Sequence, residues 1–304
     1  MSSSKDVFFD EPLTPGMFRR IRARSILYSA NSPYQQIDVV ETEEYGRVLY
    51  LDRRFQTSEA EEYFYHESLV HPAMVIHSVP RKVLLIGGGD GGALEEILKY
   101  RTVERVDMVE LDGKVIEVAR RFLNRICANA FEDPRLNLVV GDGRAFIEKS
   151  SDSYDVIILD LTDPMGPSKY VYTKEFYDLC RDHLNPGGLL SLHNDSPFFY
   201  PEAFAVIVNT LKAVFPHMVQ FVTFIPGYLL DFAFSVCSSS PIPERSGEEA
   251  EAILRRQGLD ASSLKWYEPE RHGELLKLPA YARVLLKQEV RISTDDDPYS
   301  IPEM

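Results

Sequence analysis

The chain has 304 residues, and its 33 Lys+Arg against 47 Asp+Glu leave a formal charge of −14. That balance argues against a nucleic-acid binder, because polyanion affinity rests on Lys/Arg clusters that neutralise phosphates and release counterions. The one dense basic group, Arg19, Arg20, Arg22 and Arg24, is too short to set the class and reads equally as a solvated face. No apolar run approaches the roughly 18 residues of a membrane span. Met1 to Asp10 lacks the basic and then apolar order of a secretory signal, so a cytoplasmic protein with no membrane partner is expected. Cys127, Cys180 and Cys237 are widely spaced and form no CxxC pair. This indicates neither a disulfide framework nor a zinc site and predicts reduced, buried thiols.

From Ser25 to Gln56 apolar and polar residues alternate, with turn material at Asn31-Ser32-Pro33 and Tyr45-Gly46. That pattern predicts a small antiparallel β unit. A helix is expected from Ser58 to His71, so residues 1–75 read as an N-terminal β domain with a linking helix. After Pro80, apolar strands alternate with amphipathic helices. Strands are predicted at Lys82 to Ile86, Arg105 to Glu110, Leu136 to Val140, Tyr154 to Leu159 and Gly188 to His193. Helices are predicted at Gly91 to Lys99, Gly113 to Leu123, Arg144 to Lys149 and Thr173 to His183. Such βαβ repetition gives a parallel, doubly wound α/β sheet with helices on both faces. Two last strands, Val219 to Phe224 and Asp231 to Cys237, have only a short turn between them and should close one edge as an antiparallel hairpin. Helices near Glu248 to Gln257 and Pro279 to Leu286 read as peripheral covers, and Trp266 as packing on a C-terminal helix. The acidic end, Asp295-Asp296-Asp297-Pro298, is expected to be mobile, and the catalytic domain is expected to span 76–304.

Ligands of open α/β sheets bind at the carboxyl ends of the strands, so the residues after each strand carry the functional reading. The first is Gly87-Gly88-Gly89-Asp90-Gly91-Gly92, whose glycines permit a tight turn and close backbone approach. Asp90 stands where a dinucleotide would need room for its pyrophosphate, so the loop suits a ligand with a positive group and disfavours NAD. Glu110 follows the second strand, twenty residues after Asp90, at the spacing of an acid that accepts ribose hydroxyls. Asp112 and Glu117 read as helix-start and surface charges. Asp142, in Gly141-Asp142-Gly143, either accepts from an adenine amino group or caps a helix. Together these acids describe an adenosine site with no phosphate and a cationic tail.

The fourth strand ends in Asp160-Leu161-Thr162-Asp163-Pro164-Met165-Gly166-Pro167, two carboxylates three residues apart in a proline-stiffened loop. A buried carboxylate with an acidic neighbour has a raised pKa and serves as a general base. Asp163, before proline, is open to a loop-capping role instead. Convergent His and carboxylate residues at metal-ligand spacing are missing, so no metal is expected.

The glycine loop, Glu110, Asp142 and the Asp160-x-x-Asp163-Pro164-x-Gly166-Pro167 segment together resemble the polyamine aminopropyltransferase (spermidine synthase) family. Tyr34-Gln35-x-Ile37, Leu51-Asp52, Tyr65-His66-Glu67, Tyr172-Thr173 and Leu184-Asn185-Pro186-Gly187-Gly188 extend the resemblance from about Ser25 to Cys237. It implies a class I methyltransferase-like Rossmann domain behind an N-terminal β domain, a homodimer or homotetramer, and no cofactor. The implied reaction moves the aminopropyl group of decarboxylated S-adenosylmethionine, a co-substrate, to a small cationic amine and releases methylthioadenosine. By position, Asp90 would hold the aminopropyl ammonium, Glu110 the ribose and Asp142 the adenine. Gln35 is a further donor contact, and Gly87, Gly89 and Gly143 are glycines of close approach. Asp160 would bind and deprotonate the amine with Tyr65 assisting, while His66, Asp163 and Tyr228 would line the acceptor channel. An acid-lined cleft also concentrates a cationic amine.

The chain departs from the family at Leu51-Asp52-Arg53, where Leu-Asp-Gly is common, and at Glu61-Glu62, where Asp-Glu is common. Ile225-Pro226-Gly227-Tyr228 lacks the Pro-x-Gly insertion of putrescine-using enzymes and looks closer to variants acting on agmatine or longer polyamines. His193 stands where glutamine is common, and Asp195 either anchors a distal amine or caps a turn. Putrescine, agmatine and spermidine all remain candidate acceptors. The competing readings are an S-adenosylmethionine-dependent methyltransferase and a polyamine- or nucleoside-binding protein without catalysis.

Overall fold

A computed structural model describes residues 7–288 and 290–302. The first sheet is antiparallel, in the order β1 (Val7–Thr14), β2 (Met17–Asn31), β3 (Gln36–Thr42), β4 (Arg47–Leu51) and β5 (Arg54–Ser58). It therefore starts well before Ser25. The missed signal lies in the arginines: Arg20, Arg22 and Arg24 are exposed while the intervening Arg19, Ile21 and Ala23 are buried. Period-two alternation is the mark of a half-buried strand, and the basic group is its solvated face apart from Arg19, which pairs with buried Glu11 across the β1–β2 ladder.

The linking helix, α1 (Glu62–His77), starts and ends later than expected. Pro72 is a usual stop because it removes one backbone bond. Here the helix continues through it, since every residue from Tyr65 to Ile76 is buried. Next come β6 (Lys82–Gly87), α2 (Gly92–Leu98), β7 (Arg105–Glu110), α3 (Gly113–Phe122), α4 (Asn124–Cys127), β8 (Leu136–Val140), α5 (Gly143–Lys149), β9 (Tyr154–Asp160), α6 (Lys174–Asp182) and β10 (Leu184–His193). The unanticipated α7 (Pro201–Lys212) precedes the hairpin β11 (His217–Ile225) and β12 (Leu230–Ser238). The second sheet has the order β11-β12-β10-β9-β6-β7-β8, with β6 to β10 parallel and the hairpin antiparallel at the edge. Chain order turns back between β6 and β9, so their carboxyl ends form the crevice of a doubly wound sheet.

The covers are α8 (Gly247–Gln257), α9 (His272–Leu275) and α10 (Ala280–Leu285). Trp266 stacks on Phe221 of β11 with centroids 6.2 Å apart, and it packs against the core cluster that also holds Ala250, Ile253 and Leu254 of α8. Its backbone N–H and those of Lys265 and Tyr267 donate to buried Glu67 at 2.7–2.9 Å, tying this segment to α1. The acidic end is docked rather than mobile: Asp295 takes the Arg144 guanidinium and the Thr173 hydroxyl. The three cysteines are free and buried.

Candidate active site

The crevice is built by glycines. Gly87, paired with Asp160 across β6 and β9, has φ +84°, and a Cβ there would lie 2.0 Å from the Asp160 carbonyl oxygen. The Gly88 N–H donates to that same oxygen at 3.0 Å. A Cβ on Gly89 would come 3.0 Å from a Glu110 carboxylate oxygen, and one on Gly143 would come 2.3 Å from Ile86. Only glycine lets three strand ends and the loop converge this closely. Asp90, Glu110 and Asp160 consequently share one enclosed space.

Asp90 curls back so that its carboxylate accepts from Gly92 N at 2.8 Å. The same oxygen is 3.5 Å from His66 Nε2, while His66 Nδ1 meets Glu62 at 2.8 Å. A Cβ on Gly92 would strike the His66 ring, so the bare glycine is what seats the imidazole there. Burial pulls the His66 pKa down, but Asp90 and Glu62 outweigh it and hold the ring protonated, and His66 in turn keeps Asp90 ionised. His66 was expected in the acceptor channel; it stands beside Asp90 at the start of α2. His66, Asp90 and Asp160 point ligand-type atoms to within 4.8 Å of one another. An imidazolium with both nitrogens engaged offers no lone pair to a metal, and the set reads as a cradle for an organic cation.

Asp160 accepts from the Tyr65 hydroxyl, and its Oδ2 is buried without a partner. Burial and the neighbouring Asp90 charge push its carboxyl up to about 7, against the opposing pull of His66 and Tyr65. Tyr65 is fixed among Phe234, His193 and Tyr228, with ring centroids 5.6–6.1 Å away. Glu110 accepts from Asp112 N at 2.8 Å and is pushed up to about 7, chiefly by burial.

Asp112, read only as a helix-start charge, does cap α3 through Lys114 N. Its other oxygen accepts from Ser32 Oγ at 2.6 Å and Gln35 Nε2 at 3.0 Å, which joins the first sheet to the Glu110 end of the crevice. Asp142 is exposed and caps α5 through Ala145 N at 2.9 Å.

The other side of the crevice belongs to Asp163, His193, Asp195 and Tyr228. His193 Nε2 lies 2.9 Å from both the Tyr172 hydroxyl and the Leu161 carbonyl, and its ring stacks on Phe232. Asp195 is fully buried with φ +64°. One carboxylate oxygen accepts from Ser196 N at 2.5 Å and the other has no partner. Burial and the Asp163 charge hold its carboxyl well above the usual range. The Tyr228 hydroxyl donates to the Gln56 carbonyl at 2.7 Å, placing the ring edge-on to Tyr65 and Phe55.

Glu61 had no assigned role. It is buried and pushed up to about 7 by burial, accepting from Ser58 Oγ and from Gly227 N. It thereby ties the start of α1 to the turn carrying Tyr228. Position 61, noted only as a departure from the family pattern, was the signal available.

Family models described as "Spermine/spermidine synthase domain" and "Spermidine synthase tetramerisation domain" match residues 62–245 and 7–59. The polyamine aminopropyltransferase of Nitrosomonas europaea is 41% identical over 288 residues, covering 94% of this chain and 88% of that one. That of Sulfolobus acidocaldarius is 35% identical, covering 95% of this chain and 96% of that one. Among solved structures, a spermidine synthase in complex with the transition-state analogue AdoDATO superposes with a TM-score of 0.85 at 33% identity, covering 92% of this chain and 94% of its own. Spermidine synthase from Thermotoga maritima gives 0.84 at 32% identity, covering 93% and 94%.

Proposed function

Because this chain belongs to the spermine/spermidine synthase family, we propose that it is a polyamine aminopropyltransferase whose chemistry turns on Asp160. It transfers the aminopropyl group of decarboxylated S-adenosylmethionine to an amine and releases methylthioadenosine. The observation that carries the residue assignment is the partnerless, buried Asp160 oxygen beside Asp90 and Tyr65.

An aliphatic amine enters protonated, with a pKa near 10. Asp160 attracts the ammonium and takes one of its protons; a carboxyl pushed up to about 7 is basic enough to do so near neutrality. The freed lone pair attacks the methylene carbon bonded to the sulfonium. As the N–C bond forms, the C–S bond breaks and its electron pair stays on sulfur, giving a neutral thioether. The new secondary amine is born protonated, and the proton on Asp160 passes to solvent. Tyr65 orients the base and Asp90 holds the donor ammonium. Glu110 takes the ribose and Asp142 the adenine through the oxygen that does not cap α5. Gln35 acts through Asp112, and Gly87, Gly89 and Gly143 supply close approach. Asp163, Asp195 and Tyr228 line the acceptor side, where the partnerless Asp195 oxygen suits a second cationic group. His66 supports this side indirectly by fixing Asp90.

The acceptor is putrescine, agmatine or spermidine. Assembly as a homodimer or homotetramer runs through the first sheet, the segment that matches a tetramerisation domain. No helix among the described residues is long and apolar enough to cross a membrane. The assignment to the cytoplasm rests on the free, buried thiols, which suit a reducing compartment. The test incubates purified protein with decarboxylated S-adenosylmethionine and each amine in turn. Methylthioadenosine release with one of them is expected, and silence with all would overturn the reading.

A further inference from the structure

The loop after Asp160 is held from outside by the far end of the chain. Ile301 N–H donates to the Pro164 carbonyl at 2.9 Å. Met165 packs into an apolar cluster with Tyr299, Ile301, Val290 and the α7 residues Ala203 and Val206. At its start the loop is tied to the sheet, where the Leu161 carbonyl meets His193 Nε2 at 2.9 Å and the Thr162 carbonyl accepts from the Tyr172 hydroxyl at 3.1 Å; beyond Thr162 its own restraints are local: Met165 N to Asp163 O at 2.7 Å, Ser168 N to Met165 O at 3.0 Å and the Thr162–Ser168 hydroxyl pair at 2.9 Å. None of these local bonds fixes the Asp163–Pro167 part of the loop against the sheet, and its tip at Gly166-Pro167 is exposed.

The terminal segment is itself firmly anchored. Ser293 N–H donates to Thr210 Oγ1 at 3.0 Å, its carbonyl accepts from Lys174 N at 2.8 Å, and its hydroxyl oxygen accepts from Tyr299 N at 3.0 Å. Asp295 receives both terminal nitrogens of Arg144, at 2.7 and 2.5 Å, and the Thr173 hydroxyl at 2.7 Å. Its own N–H donates to Glu175 at 2.9 Å. Arg144 follows directly on Asp142-Gly143 and also donates to the Tyr170 carbonyl at 3.2 Å. Bidentate arginine–carboxylate pairs fix geometry as well as adding energy. A continuous path therefore runs from the base end of the crevice, through Arg144 and Asp295, to Ile301 and the Asp163 loop.

We propose that residues 290–302 form a positioning strap, latched by the Asp295–Arg144 fork, that holds the Asp163 loop in place over the acceptor side of the crevice. The strap touches no substrate; Asp295 and Ile301 act through the loop. Releasing the latch frees the loop, so the acceptor is bound less well while the donor pocket, built on the ends of β6, β7 and β8, keeps its shape. The kinetic part rests on the aminopropyltransferase reading, whereas the mechanical part does not.

The test measures hydrogen exchange of the 161–172 amides, KM for donor and acceptor separately, kcat and Tm, in the wild type and in Asp295→Ala. The expected result is exchange in that loop at least 10-fold faster, an acceptor KM raised about 5-fold or more, and a donor KM within 2-fold. Loop exchange and acceptor KM within 2-fold of wild type, with only Tm lowered, would reduce the segment to a stability element and overturn the proposal. Asp295→Asn, which keeps the Thr173 bond and the side-chain shape, serves if the alanine variant does not fold; it should show the same pattern at smaller size. A wild type inactive with every amine would sink the functional reading alone, because the loop exchange still reports on the strap.

Discussion

Replacing Asp160 by asparagine should abolish turnover and, in the ligand-free protein near pH 8, raise stability. One carboxyl oxygen is buried without a partner, and burial and the Asp90 charge push the carboxyl up to about 7, about 3 above the ordinary carboxylate value. A raised carboxylate pKa means that folding favours the protonated form. Its contribution is fully present below the unfolded value near 3.9 and is lost as pH rises through 7. At pH 8 the ionised group therefore costs on the order of 4 kcal/mol, from about 1.4 kcal/mol per unit. Asparagine keeps the shape without the charge. For a chain this long 1 kcal/mol moves Tm by about 1.5 °C, so Asp160→Asn should melt about 6 °C above wild type at pH 8. About half of that difference should remain near pH 5.5 and almost none at pH 3.5. Thermal melts of both proteins across this range, without substrate, make the comparison. A variant that melts below wild type at pH 8, or a difference that does not shrink with acid, would refute the placement of Asp160 as an uncompensated buried charge.

Four further outcomes follow from the same geometry. The acceptor kcat/KM at saturating donor should fall with a slope near one as pH drops through a value below about 7, because the donor ammonium on Asp90 offsets the charge that raises Asp160 after burial; a pH–rate profile reads it. Gly87→Ala drives a Cβ to 2.0 Å from the Asp160 carbonyl at φ +84°, so it should cost about 3 kcal/mol or more and at least 100-fold in kcat, measured by denaturation and methylthioadenosine release. Asp112→Ala cuts the Ser32 and Gln35 bonds and should raise donor KM about 10-fold with little change in acceptor KM. Glu67→Ala leaves three backbone N–H groups without their acceptor and should lower stability by about 3 kcal/mol while the folded enzyme's kinetic constants stay within about 2-fold.

The catalytic sheet was legible because its strands are apolar runs punctuated by glycine and acid: β7 and β8 fall at their expected bounds, and β6 and β9 differ by one residue. Asp90, Glu110 and Asp160 were legible for the same reason, since each ends or follows a strand and the parallel topology then forces them together. What escaped was long-range. Nothing local in Glu61, Glu67 or Asp112 announces that their partners lie at Gly227, at Tyr267 and at Gln35. The acidic terminus read as mobile on composition, but its anchor Arg144 lies on a helix 151 residues away in sequence. For His66 the motif shows only that a histidine follows Tyr65; the bare Gly92 against its ring decides which carboxylates it meets.

The protonation of His66 and the raised carboxyl of Asp160 together imply that the two cation sites are coupled. Asp90 is the shared neighbour: it stabilises the imidazolium and destabilises the Asp160 carboxylate. A donor whose ammonium settles on Asp90 neutralises the charge that opposes Asp160, so the Asp160 pKa falls and the ionised, proton-accepting form gains population before any amine arrives. By linkage each cation should tighten the other. Thermal shifts read this directly: methylthioadenosine, which carries no ammonium, should tighten amine binding far less than the full donor does, and equal enhancement by both would show that Asp90 is not the coupling group.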